Sequence, residues 1–250
     1  MNSGMQTAEA LLNPPHYGPV RVAIGKAIYW HYRLFRRKRH ETAVLEHIGD
    51  FPLIVLPGVL NPKVMRTGAF FASQLQAELV EPGAEVLDMG TGSGVCAIAA
   101  ARYARRVVAV DINPAAVRCT QINALVNALE SKIEVAHGDL FAPVKGRRFD
   151  IVLFNPPFIR GAPGNDADRA WRSTDVAERF AAGLTEHLTP AGFALVLLST
   201  YGDASEFVRQ FRRWNFDISI VAERAFVNEK LTLLRLRQTP HHPELGITHD

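Results

Sequence analysis

The stretch Phe154-Asn155-Pro156-Pro157-Phe158 holds the most pointed chemical arrangement in the sequence. An asparagine carbonyl and the backbone carbonyl that follows it can accept both hydrogens of a planar amide or amino nitrogen. Pro156 and Pro157 fix φ and have no N–H to compete for those acceptors. Phe158 adds an aromatic face on which a flat group can stack. Asn-Pro-Pro also occurs at 13–15, but only the second copy follows a strand-like apolar run, "DIVLF". The first reads as a turn in an N-terminal arm.

A second constellation lies upstream, in "LDMGTGSGV" (87–95). Gly90, Gly92 and Gly94 alternate after one apolar run and before another, permitting a tight turn and a close ligand approach. The dinucleotide fingerprint needs glycine at position 95, where Val95 stands, so a nicotinamide dinucleotide is disfavoured. Three carboxylates accompany the loop. Asp111 can accept both hydroxyls of a ribose, and Asp139 can accept from an adenine amino group. Asp88 can orient the loop amides or, through water, meet an ammonium. Glycines, three carboxylates and no phosphate-binding cation suit a ligand with ribose, adenine and a cationic amino-acid tail.

These residues need a scaffold, and the hydrophobic pattern supplies one. Strand-like runs at 84–90, 106–111, 132–139, 148–155 and 192–200 alternate with helical stretches at 95–104, 113–129, 167–188 and 203–215. Two more strands, 216–225 and 229–238, close the pattern. Alternation of this kind predicts an α/β fold with a mostly parallel sheet and helices on both faces. Ligands then bind beyond the carboxyl ends of the strands, where the "DMGTGSG", "VDIN", "HGDLF" and "FNPPF" loops fall. Upstream, 41–58 reads as a hairpin around "IGD", and 61–80 as one helix.

The segments "VLDMGTGSGVCAIAAA", "VVAVDINPAAV" and "GDLF" resemble the first three motifs of class I S-adenosylmethionine-dependent methyltransferases. That resemblance implies a seven-stranded, Rossmann-like sheet with its last strand antiparallel, and S-adenosyl-L-methionine as cofactor. It places Asp88, Gly90, Thr91, Gly92 and Gly94 on the methionine side. Asp111 and Ile112 fall at the ribose, Asp139 and Leu140 at the adenine, with Asn155 completing the pocket. The N-P-P-[FY] motif resembles the HemK/PrmC-type glutamine-N5 methyltransferases, and also the methyltransferases of exocyclic base amines. "LPGVLNPKVMRT" is similar to the segment that the HemK group lays over the cofactor. The resemblance implies an enzyme that methylates nitrogen, with Asn155, Pro156 and Phe158 as catalytic residues and a protein glutamine as acceptor. An RNA or DNA base amine, or a small molecule, is the alternative.

Composition bounds the remaining possibilities. The chain has 250 residues, 48% hydrophobic and 21% charged, with net charge +3, which suits a globular protein. It shows no secretory signal and no apolar run of about 18 residues, so a cytoplasmic protein without a membrane span is expected. The two cysteines, Cys96 and Cys119, read as free buried thiols. Arg33, Arg36, Arg37, Lys38 and Arg39 end a basic amphipathic helix, which could offer phosphate contacts to a nucleic acid. The expected organisation is an N-terminal arm, helix and hairpin over 1–60, a catalytic domain over 61–238 and a tail over 239–250. Trp171 and Arg172 are lesser candidates for the acceptor pocket. His137 reads as a packing residue, and His241, His242 and His249 form no metal-ligand pattern.

Overall fold

A computed structural model describes residues 42–157, 159–160, 172–173, 175–226 and 229–239. The N-terminal basic helix and the tail beyond 239 lie outside the described residues. The expected hairpin is present: β1 (Val44–Ile48) pairs antiparallel with β2 (Phe51–Val55), in register from Val44↔Val55 to Ile48↔Phe51. Gly49, at φ 56°, makes the turn, a backbone angle that few side chains accept.

The stretch predicted as one helix over 61–80 is two short ones, α1 (Pro62–Met65) and α2 (Thr67–Gln74). Asn61 caps α1 by accepting from the N–H of Lys63 at 3.0 Å and of Val64 at 3.3 Å. Arg66 breaks the path with φ 63° and ψ −28°. Packing explains the break: Gly68 brings α2 so near Pro62 and Val95 that a Cβ there would lie 3.1 and 3.2 Å from their side chains. A continuous helix could not seat both turns against the helix that begins at Val95.

The central sheet has seven strands. These include β3 (Glu85–Met89), β4 (Arg106–Asp111), β5 (Ile133–His137) and β6 (Phe149–Phe154). The others are β9 (Leu188–Ser199), β10 (Phe216–Ala225) and β11 (Lys230–Gln238), and a parallel pair of two-residue strands, β7 (Ile159–Arg160) and β8 (Arg172–Ser173), stands apart. The spatial order is β10-β11-β9-β6-β3-β4-β5, with only β11 running against its neighbours. This is the expected mostly parallel sheet with an antiparallel last strand.

Helices α3 (Val95–Ala101), α4 (Pro114–Val126), α5 (Val176–His187) and α6 (Ala204–Arg213) cover it. Alternate residues of each strand feed two separate cores. Val86, Val107, Ile151 and Leu195 join α2 and α3 on one face; Leu87, Val108, Val152 and Val196 join α5 and α6 on the other. In the second core Phe180 stacks on Phe154, centroids 4.2 Å apart, and on Phe141 at 5.6 Å. The predicted helix over 167–188 begins only at Val176, because Arg172–Ser173 is strand. Strand β9 starts at Leu188, several residues before the predicted 192, and its register against β6 shifts between Phe149 and Ile151.

Candidate active site

The carboxyl ends of β3, β4, β5 and β6 open into a cavity of about 320 Å³, at the small end of the range for ligand sites. Sheet order sets its geography. β3 lies centrally, β4 and β5 to one side and β6 to the other.

The glycine loop after β3 forms the floor. Gly90 and Gly92 line the cavity at φ 67° and 59°. A Cβ on either would meet nothing nearer than 3.9 Å, so the space a side chain would fill stays open to a ligand. Thr91 lines the cavity too. Gly94 does not; it stands at φ 81°, where a Cβ would come 2.9 Å from Thr120 Cγ2 and 3.2 Å from Thr120 Cα. It seats the loop against α4 instead of facing a ligand.

Asp88 is also set back, buried and outside the cavity lining. Its Oδ2 accepts from Thr91 Oγ1 at 2.7 Å and from the Ala97 N–H at 3.0 Å. It therefore braces the loop and the first turn of α3. Burial drives its carboxyl up to about 7, against the lowering pull of those two donors, and Asp111 nearby adds to the rise.

Asp111 lines the cavity at the end of β4. Its Oδ2 accepts from the Gly92 N–H at 2.9 Å and its Oδ1 from the Asn113 N–H at 2.8 Å. A carboxylate has about four acceptor directions, so one on each oxygen remains for a ligand. Burial raises its pKa, and those amides with the nearby His137 offset part of the rise. His137 itself bonds the Ile112 carbonyl oxygen through Nε2 at 3.0 Å, tying the β4 and β5 loops together. Ile112, Asp139 and Leu140 line the same side.

Three further features complete the lining: Thr67 and the Gly58–Leu60 wall fall within "LPGVLNPKVMRT", the stretch expected over the cofactor, whereas Arg179 had little sequence signal. Arg179, on α5, lines the cavity and pairs with Asp139 Oδ2, and more loosely with Asp175 at 3.8 Å. The spacing of Asp175 and Arg179, one helical turn apart, was the only hint. Thr67 lines the opposite side. The third is the wall of Gly58, Val59 and Leu60, held by Val59 packing on Ala116 and Cys119. Asn123 anchors that wall: its amide donates to the Ile54 and Ser93 carbonyls at 2.8 and 2.9 Å and accepts from the Ile54 N–H at 2.7 Å.

Asn155 follows β6 and lines the cavity. Its Nδ2 donates to Thr67 Oγ1 at 3.4 Å. Its Oδ1 is buried and has no hydrogen-bond partner among the described residues. Pro157 also lines the cavity, whereas Pro156 is buried beneath it. Phe158 and Trp171 fall outside the described residues, as does the Arg172 side chain. Among the described residues no group of three metal-ligating side chains gathers.

The family model of the methyltransferase small domain matches residues 51–214, from β2 through α6. The chain belongs to that family. Its relatives include a release factor glutamine methyltransferase of Koribacter versatilis, 32% identical over 66% of this chain and 64% of the relative. A small-subunit ribosomal RNA methyltransferase C of Alcanivorax borkumensis is 34% identical over 60% of this chain and 42% of the relative. The chain thus matches less than two thirds of the length of either. Among solved structures, a Thermus thermophilus 16S rRNA N2 G1207 methyltransferase with AdoMet and guanosine matches at TM-score 0.59. It is 24% identical, covering 79% of this chain and 50% of that one. The methyltransferase small domain fold is therefore the frame in which Asn155 and the glycine loop are held.

Proposed function

We propose that this protein is an S-adenosylmethionine-dependent N-methyltransferase, and that its acceptor is a protein side-chain amide, the N5 of glutamine. The observation that carries the reading is Asn155. A buried acceptor without a donor costs about 1–3 kcal/mol, and Asn155 Oδ1 is one. Thr67 engages the Nδ2 end, so the oxygen is the end left for a ligand. A substrate N–H bound there relieves the cost and has its nitrogen oriented by the same contact. Orientation of this kind is worth several kcal/mol in well-aligned reactions.

The remaining residues fit the cofactor. Gly90 and Gly92 leave open floor for its methionine part, Asp111 has acceptor capacity for ribose hydroxyls, and Asp139 for an adenine amino group. Ile112 and Leu140 supply apolar walls between them. When bound, S-adenosylmethionine supplies an activated methyl group. The chain's part is to hold the acceptor nitrogen in place at the Asn155 carbonyl, within the cavity that Gly58, Val59 and Leu60 also line.

The glutamine reading is supported by the name of the Koribacter relative and by a candidate protein N5-glutamine methyltransferase of Methanocaldococcus jannaschii, 30% identical over 79% of that protein. A second reading, transfer to an exocyclic base amine, rests on the Alcanivorax relative, since the same carbonyl could accept from such an amine. Incubation with methyl-labelled S-adenosylmethionine and cell extract decides between them. Label freed only by protease supports the side-chain amide. Label freed only by nuclease supports the base, and label passing a small-pore filter before digestion rejects both macromolecules.

A further inference from the structure

A second feature stands beside Asn155, outside the cavity. Arg66 sits between Met65 and Thr67, both cavity-lining residues, and Thr67 touches Asn155. Its left-handed backbone, φ 63°, is a conformation that non-glycine residues seldom adopt and that concentrates at functional sites. The break sends the Arg66 side chain away from the helices onto the β10–β11 turn. There its guanidinium lies over the Phe226 ring, 5.1 Å from the centroid, and Arg224 lies over the same ring at 5.4 Å.

Two exposed guanidinium groups are thus gathered on one half-buried ring at the rim of the acceptor site. Neither forms an ion pair within 4 Å among the described residues; the nearby carboxylate, Glu229, accepts from the Ser199 hydroxyl and feels the Arg66 charge at longer range. Glu223, the other acid on this turn, is matched by Lys230 at 2.7 Å. Counting Lys230, three cations thus face two acids, Glu223 and Glu229, and the cluster keeps a net positive charge carried by planar guanidinium groups, the form that recognises carboxylates in bidentate fashion.

We propose that Arg66 and Arg224 form a clamp for an acidic side chain flanking the methylated residue of a protein acceptor. This rests on the side-chain reading above. The ring favours a peptide over a nucleic acid: single-stranded RNA is held chiefly by bases stacked on open aromatic faces, and Phe226 is half-buried beneath two cations.

The test uses the full chain and three fluorescein-labelled probes: a short peptide of alternating glutamate and glutamine, the same peptide with lysine for glutamate, and an RNA oligonucleotide. Anisotropy should show salt-sensitive binding of the acidic peptide, weakened about fivefold to tenfold in the Arg66→Asn, Arg224→Gln double variant. Asparagine is chosen because it tolerates the left-handed backbone. Arg224→Gln alone, on ordinary strand geometry, should show part of the loss if the double variant folds poorly. Binding of S-adenosylhomocysteine should stay within about twofold, as the clamp lies outside the cofactor cavity. Acidic-peptide binding equal in wild type and variants overturns the clamp, as does an RNA whose affinity falls more than the peptide's. The extract labelling separates the two failures. Nuclease-released label sinks the side-chain reading itself, whereas protease-released label transferred equally well by the variants sinks only the clamp.

Discussion

At the scale of single residues, the orphaned Asn155 oxygen makes the sharpest claim. Asn155→Ala should lower methyl transfer by about a hundredfold or more, the cost of losing an orienting contact, while S-adenosylhomocysteine affinity, read by calorimetry, falls far less. Equal losses in both would mean that Asn155 serves the cofactor and not the acceptor. Asp88 makes a second claim, about pH. Its carboxyl is raised to about 7, so the folded state holds a proton that the unfolded chain releases near the ordinary carboxylate value. Its contribution to stability is then present at low pH and is lost as pH rises from about 4 to about 7. Urea melts should show that slope in the wild type, and Asp88→Asn should flatten it, leaving the part due to Asp111 and Glu229, which burial also raises. Both residues could be read from sequence, Asn155 from the prolines behind it and Asp88 from its place before the glycines. Of the two roles read for Asp88, orienting the loop or meeting an ammonium, the structure shows it bracing the loop from behind, a choice set by which face of the strand its side chain meets. Gly94 shares the left-handed backbone of Gly90, at φ 81° against 67°, and only the position of Thr120 shows which side it packs against.

Elements were legible where the hydrophobic period was strong. The buried strands β3, β4 and β6 are continuous apolar runs, and their predicted and observed bounds differ by a residue at most. Helices α1 and α2 were not legible, because the break at Arg66 comes from the close seat of Gly68 against Pro62 and Val95, a contact distant from any local propensity. The late start of α5 has the same origin, since β8 pairs with β7 across a long stretch of chain. Two substitutions probe how elements are joined. Asn123→Ala removes three buried hydrogen bonds that tie β2 and the glycine loop to α4, and should cost about 2–4 kcal/mol by urea unfolding. Phe180→Ala empties the centre of the aromatic stack between α5 and the sheet, and should cost about 3–5 kcal/mol while leaving the opposite face of the sheet packed. A cost under about 1 kcal/mol for Asn123→Ala would show that the hairpin wall stands without its anchor.

For the molecule as a whole, the cavity couples ligand to stability. S-adenosylhomocysteine at a hundred times its dissociation constant should add about 2.7 kcal/mol, a rise in melting temperature of roughly 5–11 °C for a chain of this size. No rise would mean that the folded chain does not bind this ligand in preference to the unfolded one. Sheet order has a consequence of another kind. β11 is last in sequence but lies between β9 and β10, so β10 has no partner in the sheet until β11 arrives. A chain still emerging from the ribosome therefore carries an open edge at Leu195-Val196-Leu197-Leu198, whose partners are Thr232 to Arg235. Such an edge is a template for pairing with another chain. A stop codon anywhere before Lys230 strips two strands at once and leaves that edge permanently bare, so such fragments should collect in inclusion bodies, whereas a protein cut after Gln238 should stay dispersed.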